Sequence, residues 1–206
     1  MDFDLIKRAL NKFLKPKRRP NVELGCKVHK TAEFEGDVER ISLLSQVTVD
    51  AHATLHCAKR GAIIVGPRTY VGSYVILHTG KSAGSVEIGA DCSVHPYSVL
   101  FGHGGLVIGN KVRIGPNVTT LAATHIWDDP DTPIMEQGVS RVGIVIRDDV
   151  LIGAGTIIMD GAEIGRGCVI EPGTLVRGNI PEFAIITGNP LRIIGSRRPK
   201  PTTPVH

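Results

Sequence analysis

The chain has 206 residues, a net charge of +4, 42% hydrophobic but only 4% aromatic residues and 24 glycines, which suits one domain with an aliphatic, small-residue core and excludes a core of large aromatic clusters. No apolar run approaches the roughly 20 residues of a bilayer-spanning helix and no leader pattern opens the chain, so a cytoplasmic protein is expected. The four cysteines, Cys26, Cys57, Cys92 and Cys168, are scattered without a CxxC pair or a histidine at ligand spacing, which argues for reduced, packed thiols and against a zinc site or a disulfide framework.

Charge is concentrated at the ends. Residues 1–20 carry seven Lys/Arg against two Asp, and residues 192–206 carry four Lys/Arg and no acid. Basic ends on an acidic body fit local anion binding, by cofactor phosphates or a membrane surface, better than a nucleic-acid-binding domain. In the first segment, 1–20, Phe3, Ile6, Leu10, Phe13 and Leu14 share one face of a predicted basic amphipathic helix that "PKRRP" ends. This helix either caps the open end of the following repeats or docks peripherally on an anionic membrane.

The next predicted unit, 21–195, is a repeat. Residues 22–60 follow it loosely, Val49 and Leu55 being the clearest pair. Aliphatics then recur six apart at Val65, Val71 and Leu77, at Ile88, Val94 and Leu100, at Ile108 and Ile114, and without a slip at Ile146, Ile152, Ile158, Ile164, Ile170 and Val176. Small or branched residues follow four positions later, among them Thr69, Cys92, Ser98, Val118, Thr156, Cys168 and Thr174. A step of six walks around a helix of 3.6 residues per turn but suits short strands joined by tight turns. Three such strands make a triangular coil of 18 residues, and each coil buries its aliphatics against the next.

The [LIV]-G-x-x-[STAV]-x repeats and the ending "IPEFAIITGNPLRIIG" resemble the hexapeptide-repeat acyltransferases, which include galactoside, maltose and polysaccharide-biosynthesis O-acetyltransferases. The resemblance covers roughly residues 45–195. It implies a left-handed parallel β-helix; the left hand comes from the resemblance alone, since parallel crossovers are normally right-handed.

Three interruptions break the period: around Lys81–Ser85, within "FGHGG", and a long loop at 121–145, "LAATHIWDDPDTPIMEQGVSRVG". Insertions at solenoid corners commonly carry function. In the family the catalytic histidine stands at this loop, and Thr124-His125 matches its "TH" or "GH", so the resemblance gives His125 the role of general base. Histidine suits the chemistry. An imidazole titrates near 6.5, can take the proton of an attacking hydroxyl, and can return it to the departing thiolate without a covalent enzyme intermediate.

The resemblance also implies acetyl-CoA as co-substrate, lined by Ala154, Pro172, Arg177 and Gly178, with Arg192 meeting a phosphate and the Ala154 amide facing the oxyanion. Arg197, Arg198 and Lys200 either assist or form a solvated basic tail at 196–206. Where related galactoside enzymes carry "VWIG", this chain has Leu151 in "VLIG", so a stacking contact is lost. On the acceptor side, His103 between glycines contacts the sugar or is a turn residue. Asp128 and Asp129 orient His125, bind sugar hydroxyls, or form a solvated turn. Trp127 stacks on a sugar or packs the loop on a neighbouring subunit. His29, His52, His56, His78 and His95 read as solvated corner residues. The family implies a homotrimer with sites between subunits.

The leading expectation is an O-acetyltransferase acting on a sugar or polysaccharide-precursor hydroxyl. Its rivals are an N-acetyltransferase of an amino sugar or antibiotic and a metal-dependent carbonic anhydrase-like or non-catalytic β-helix. The last would need three histidines at repeat corners, and His103 and His125 have no third in their neighbourhood; no metal is expected.

Overall fold

The structure, a computed structural model, describes residues 19–81 and 83–198. The predicted helix at 3–14 and Lys200 lie outside the described residues. From Asn21–Val22 to Arg192–Ser196 the chain forms short strands and two single-turn 3-10 helices. The strands build three faces of eight, nine and seven strands, each joining strands of successive coils, so the molecule is a parallel β-helix of triangular section. Among the described residues no helix is long and apolar enough to cross a membrane.

The six-residue period becomes vertical columns. On the second face Val49, Val71, Val94, Ile114, Ile152, Ile170 and Ile186 stack in register, and all are buried. Each such side chain contributes about 1.5–3 kcal/mol by leaving water, and truncating one, as in Ile152→Ala, costs about 2–5 kcal/mol. The small positions point inward too. Their hydroxyls cap turn carbonyls: Ser98 Oγ donates to Gly115 O at 2.9 Å, Thr69 Oγ1 to Gly89 O at 2.8 Å and Thr174 Oγ1 to Glu171 O at 2.7 Å. Each of these three hydroxyls meets a turn carbonyl that accepts no backbone N–H among the described residues. The four cysteines are free thiols, three of them buried.

Residues 22–60, loose in sequence, make regular coils: Ile41, Leu43, Val47, Leu55 and Cys57 are fully buried. The period was obscured there because the irregularity is confined to one corner. Corners 66–69, 89–92, 109–112, 147–150 and 165–168, between first and second faces, have one length, and so do 72–75, 95–98, 115–118, 153–156 and 171–174 between second and third. The third corner, back to the first face, varies instead: two residues at 177–178, three at 160–162, four at 37–40, 58–61 and 102–105, six at 79–84, and the long loop between Thr119–Leu121 and Ile144–Ile146.

The second corner carries a ladder of residues with positive φ: His52, Tyr74, Tyr97, Asn117, Gly155 and Gly173, at 56–71°. Such turns favour Gly or Asn. Here His52 and Tyr74 stack at 5.0 Å and Tyr74 and Tyr97 at 5.1 Å, and ring stacking offsets part of the backbone strain.

Candidate active site

The enlarged third corners stack into a trough of about 1100 Å³. His125 lies at its edge because Thr124–His125 pairs antiparallel with Val139–Ser140, opposite Val139, closing the base of the loop. The His125 ring is exposed and makes no hydrogen bond among the described residues. The returning arm is fixed by Asp160 on the next coil. Its carboxylate accepts hydrogen bonds from Ser140 Oγ at 3.0 Å and from the N–H of Val142 at 3.1 Å and Gly143 at 2.8 Å.

The loop tip is organised by Asp129, which accepts from the Asp131 N–H at 3.0 Å and Thr132 Oγ1 at 2.6 Å, while Gln137 bonds its backbone on both sides. The Thr132 hydroxyl and neighbouring amides hold the Asp129 carboxyl below its ordinary range. Of the alternatives for Asp129, the turn therefore has direct support. Trp127, Asp128 and Asp129 are exposed and stand outside the lining of the trough.

His103 does enter the trough. Its ring lies on Gly80, where a Cβ would come within 2.5 Å of His103 Cδ2. The Nε2 atom is buried with no partner. Burial first, then the charges of Arg141 and Lys81, hold its pKa below 6.5.

His56 and His78 depart from expectation. They are not solvated corner residues but outward positions at the ends of third-face strands, in register with each other and with Phe101. The rings stack at 4.3 Å and 4.6 Å and form a rail along the trough. His78 Nδ1 accepts the Gly80 N–H at 2.8 Å, which places any proton of the neutral ring on Nε2. Burial, then His56 and His103, lower its pKa. Sequence reasoning missed this rail, Arg141 and Asp160. Its signal was the residue directly after each inward Leu55, Leu77 and Leu100.

The residues expected to line acetyl-CoA do not converge within one chain. Ala154 and Pro172 sit on the second corner, where Ala154 O accepts the Gly173 N–H at 2.8 Å. Arg177 and Gly178 follow Leu175–Val176 on the third corner, and Arg192 opens the terminal strand that pairs antiparallel with Ala184–Thr187. Arg197 is not a free tail cation: it bonds Asp149 Oδ2 and Gly167 O, each at 3.0 Å. Arg198 lies 4.0 Å over the Phe183 ring. Among the described residues no three or more His, Cys, Asp or Glu are grouped to hold a metal ion.

One rung of the second corner is chemically distinct. Pro96, Pro116, Ala154 and Pro172 precede the positive-φ residues of successive coils, a turn position where proline is common. Only Ala154 among these four has an N–H, and no backbone partner takes it among the described residues.

The bacterial transferase hexapeptide (six repeats) model matches residues 143–178. The galactoside O-acetyltransferase of Lactococcus lactis is 31% identical over 130 residues, covering 52% of this chain and 61% of that protein. The chain spans roughly half the length of the curated relatives it matches, 45% to 61% for the first two. Among solved structures, a mutant of AntD, a Bacillus cereus N-acyltransferase in complex with dTDP-4-amino-4,6-dideoxyglucose and coenzyme A, superposes with a TM-score of 0.60 at 20% identity over 94% of this chain and 90% of that one. The Vibrio cholerae hexapeptide-repeat acetyltransferase VCA0836, complexed with acetyl coenzyme A, gives 0.51 at 21% identity over 97% and 81%. By its repeats, its coils and these likenesses, the chain is a hexapeptide-repeat β-helix protein similar to acyltransferases of that fold.

Proposed function

We propose that this protein is an acetyl-CoA-dependent O-acetyltransferase acting on a sugar or polysaccharide-precursor hydroxyl, with His125 as general base. The observation that carries the reading is the free, exposed His125 ring at the edge of a large trough, set by a strand pair and an Asp160-anchored arm. The likeness to a galactoside O-acetyltransferase supports an oxygen acceptor.

In this mechanism His125 takes the hydroxyl proton as the oxygen attacks the thioester carbonyl, and the tetrahedral intermediate collapses by breaking the carbon–sulfur bond. The proton passes from His125 to the thiolate, leaving the ester and free CoA. The Ala154 N–H is the proposed oxyanion donor, a contact whose loss costs about 3–4 kcal/mol in comparable sites. Pro172, Arg177, Gly178 and Arg192 are the proposed CoA contacts. Trp127 and Asp128 remain proposed acceptor contacts from the loop.

Ala154 and His125 lie on different corners of one prism, which supports a site shared between copies. The third face spans those two corners, and its outward row, Ile76, Val99, Thr119, Ile157 and Leu175, is in register and largely apolar. Ile76 is 37% and Ile157 40% exposed. Three copies packed through this face about an axis parallel to the long axis of the prism would set the third corner of one against the second corner of the next, a heterologous contact that closes as a ring. The test is thiol release from acetyl-CoA with a panel of hydroxyl and amino sugars. Turnover of hydroxyl sugars is expected, and turnover of amino acceptors alone would replace O- with N-transfer.

A further inference from the structure

We propose that the trough selects an acceptor bearing a phosphoryl group, a sugar phosphate or nucleotide-linked sugar, through Lys59, Lys81 and Arg141. This rests on the acyl-transfer reading and adds the chemical class of the acceptor.

The three cations come from separate third-corner insertions, 58–61 and 79–84, and from the returning arm of the long loop. All line the trough, against one carboxylate, that of Asp37. None has an ion pair or side-chain hydrogen bond among the described residues. Elsewhere on the prism Arg68 pairs with Asp91, Arg147 with Glu163, Arg197 with Asp149 and Arg198 with Glu182; Lys30, Arg60 and Arg166 are as unpaired among the described residues, but they do not line this trough. The arm bearing Arg141 is seated closely, since a Cβ on Gly104 would come within 2.9 Å of the Arg141 backbone. Arg141 and Lys81 line the same trough as His103, and their charges add to the burial that lowers its pKa.

Unpaired cations on a concave wall recognise phosphate oxygens, with guanidinium offering paired N–H donors and ammonium a mobile point charge. A neutral sugar would instead call for carboxylates and amides facing its hydroxyls. The phosphates of CoA are the competing ligand. Lys59 and Lys81, however, lie on coils before His125, whereas Ala154 and Pro172 lie on coils after it. A donor extended along those later coils carries its phosphates away from Lys59 and Lys81.

The experiment compares a free sugar, its 1-phosphate and its nucleoside diphosphate derivative as acceptors, for the full chain and for Arg141→Gln and Lys81→Gln. The phosphorylated acceptors are expected to have the lower KM, and Arg141→Gln to raise it about tenfold or more, the loss of one charge-assisted hydrogen bond, with the KM for acetyl-CoA unchanged. Whichever phosphorylated form has the lower KM distinguishes the two sources of the phosphate. Equal KM for the free sugar, or variants that raise the KM for acetyl-CoA instead, would overturn the proposal. Calorimetric binding of a nucleoside diphosphate and of inorganic pyrophosphate to the same proteins needs no turnover. Binding that Arg141→Gln weakens, with no acetyl transfer to any acceptor, would sink the acyl-transfer reading alone; transfer to free sugars without such binding would sink this inference alone.

Discussion

Asp160 holds Gly143 by a 2.8 Å hydrogen bond from the Gly143 N–H to its carboxylate, and the same side chain takes Val142 N–H and Ser140 Oγ. One residue on a regular coil thus fixes the arm whose partner strand carries His125. Charge-assisted bonds of this kind each contribute about 1.5–3 kcal/mol. Asp160→Ala is expected to destabilise the protein by about 2 kcal/mol and to lower kcat about tenfold or more through displacement of His125. Asp160→Asn, which keeps an acceptor oxygen, should recover part of both. Thermal melts and steady-state kinetics separate the two effects; unchanged kcat in Asp160→Ala would show that the arm does not position the base.

His125→Ala removes the proposed base without touching the core, since the ring is exposed. The expected loss in kcat is about 100- to 10,000-fold, with acetyl-CoA affinity and melting temperature near those of the parent. Direct titration with acetyl-CoA and single-turnover kinetics check this. Full activity in the variant would exclude general-base catalysis by His125.

How much of this was legible depends on which force set each feature. Columns such as Ile152 over Ile170 were readable because burial forces an aliphatic at every sixth residue, and local sequence carries that demand. The long loop was readable as a break in the same demand. The His56–His78–Phe101 rail was harder to read, because the spacing between its members varies at the third corner and its one trace is indirect, the place of each ring just after an inward leucine. Asp160 was missed for a related reason: two of its three partners are backbone amides, which have no sequence signature. The unpaired state of Arg141 is a property of its surroundings in space, invisible in a count of charges.

Two histidines of the trough make stability pH-dependent. His78 and His103 both have pKa values lowered from 6.5 in the folded protein, chiefly by burial, with His56, His103 and Glu35 facing His78. The unfolded chain therefore takes up these protons first as pH falls. Stability should be flat above about 6.5 and decline below it until the folded-state pKa values are passed. Asp91 and Asp129, with carboxyl pKa values lowered from 3.8, act only in a more acidic window. In His78→Asn the amide oxygen can still accept the Gly80 N–H, so the decline below about pH 6.5 should shrink. Denaturant midpoints across that range measure it, and an unaltered slope would clear His78 of the effect.

The assembly and the oxyanion donor can be tested together at Ala154. Proline already occupies the equivalent rung at Pro96, Pro116 and Pro172, so Ala154→Pro deletes one N–H at a place whose backbone suits proline. Melting temperature should hold or rise slightly, while kcat falls about 100- to 1000-fold. If His125 of one copy works opposite Ala154 of the next, His125→Ala and Ala154→Pro proteins are each inactive, yet unfolding and refolding them together restores activity. In randomly mixed rings about a quarter of the contacts pair an intact His125 with an intact Ala154, so recovery near a quarter of the parental rate is expected. Separately refolded and then mixed samples are the control. No recovery in the co-refolded sample would mean that base and donor belong to one chain, and that the third face packs copies together for another reason or not at all.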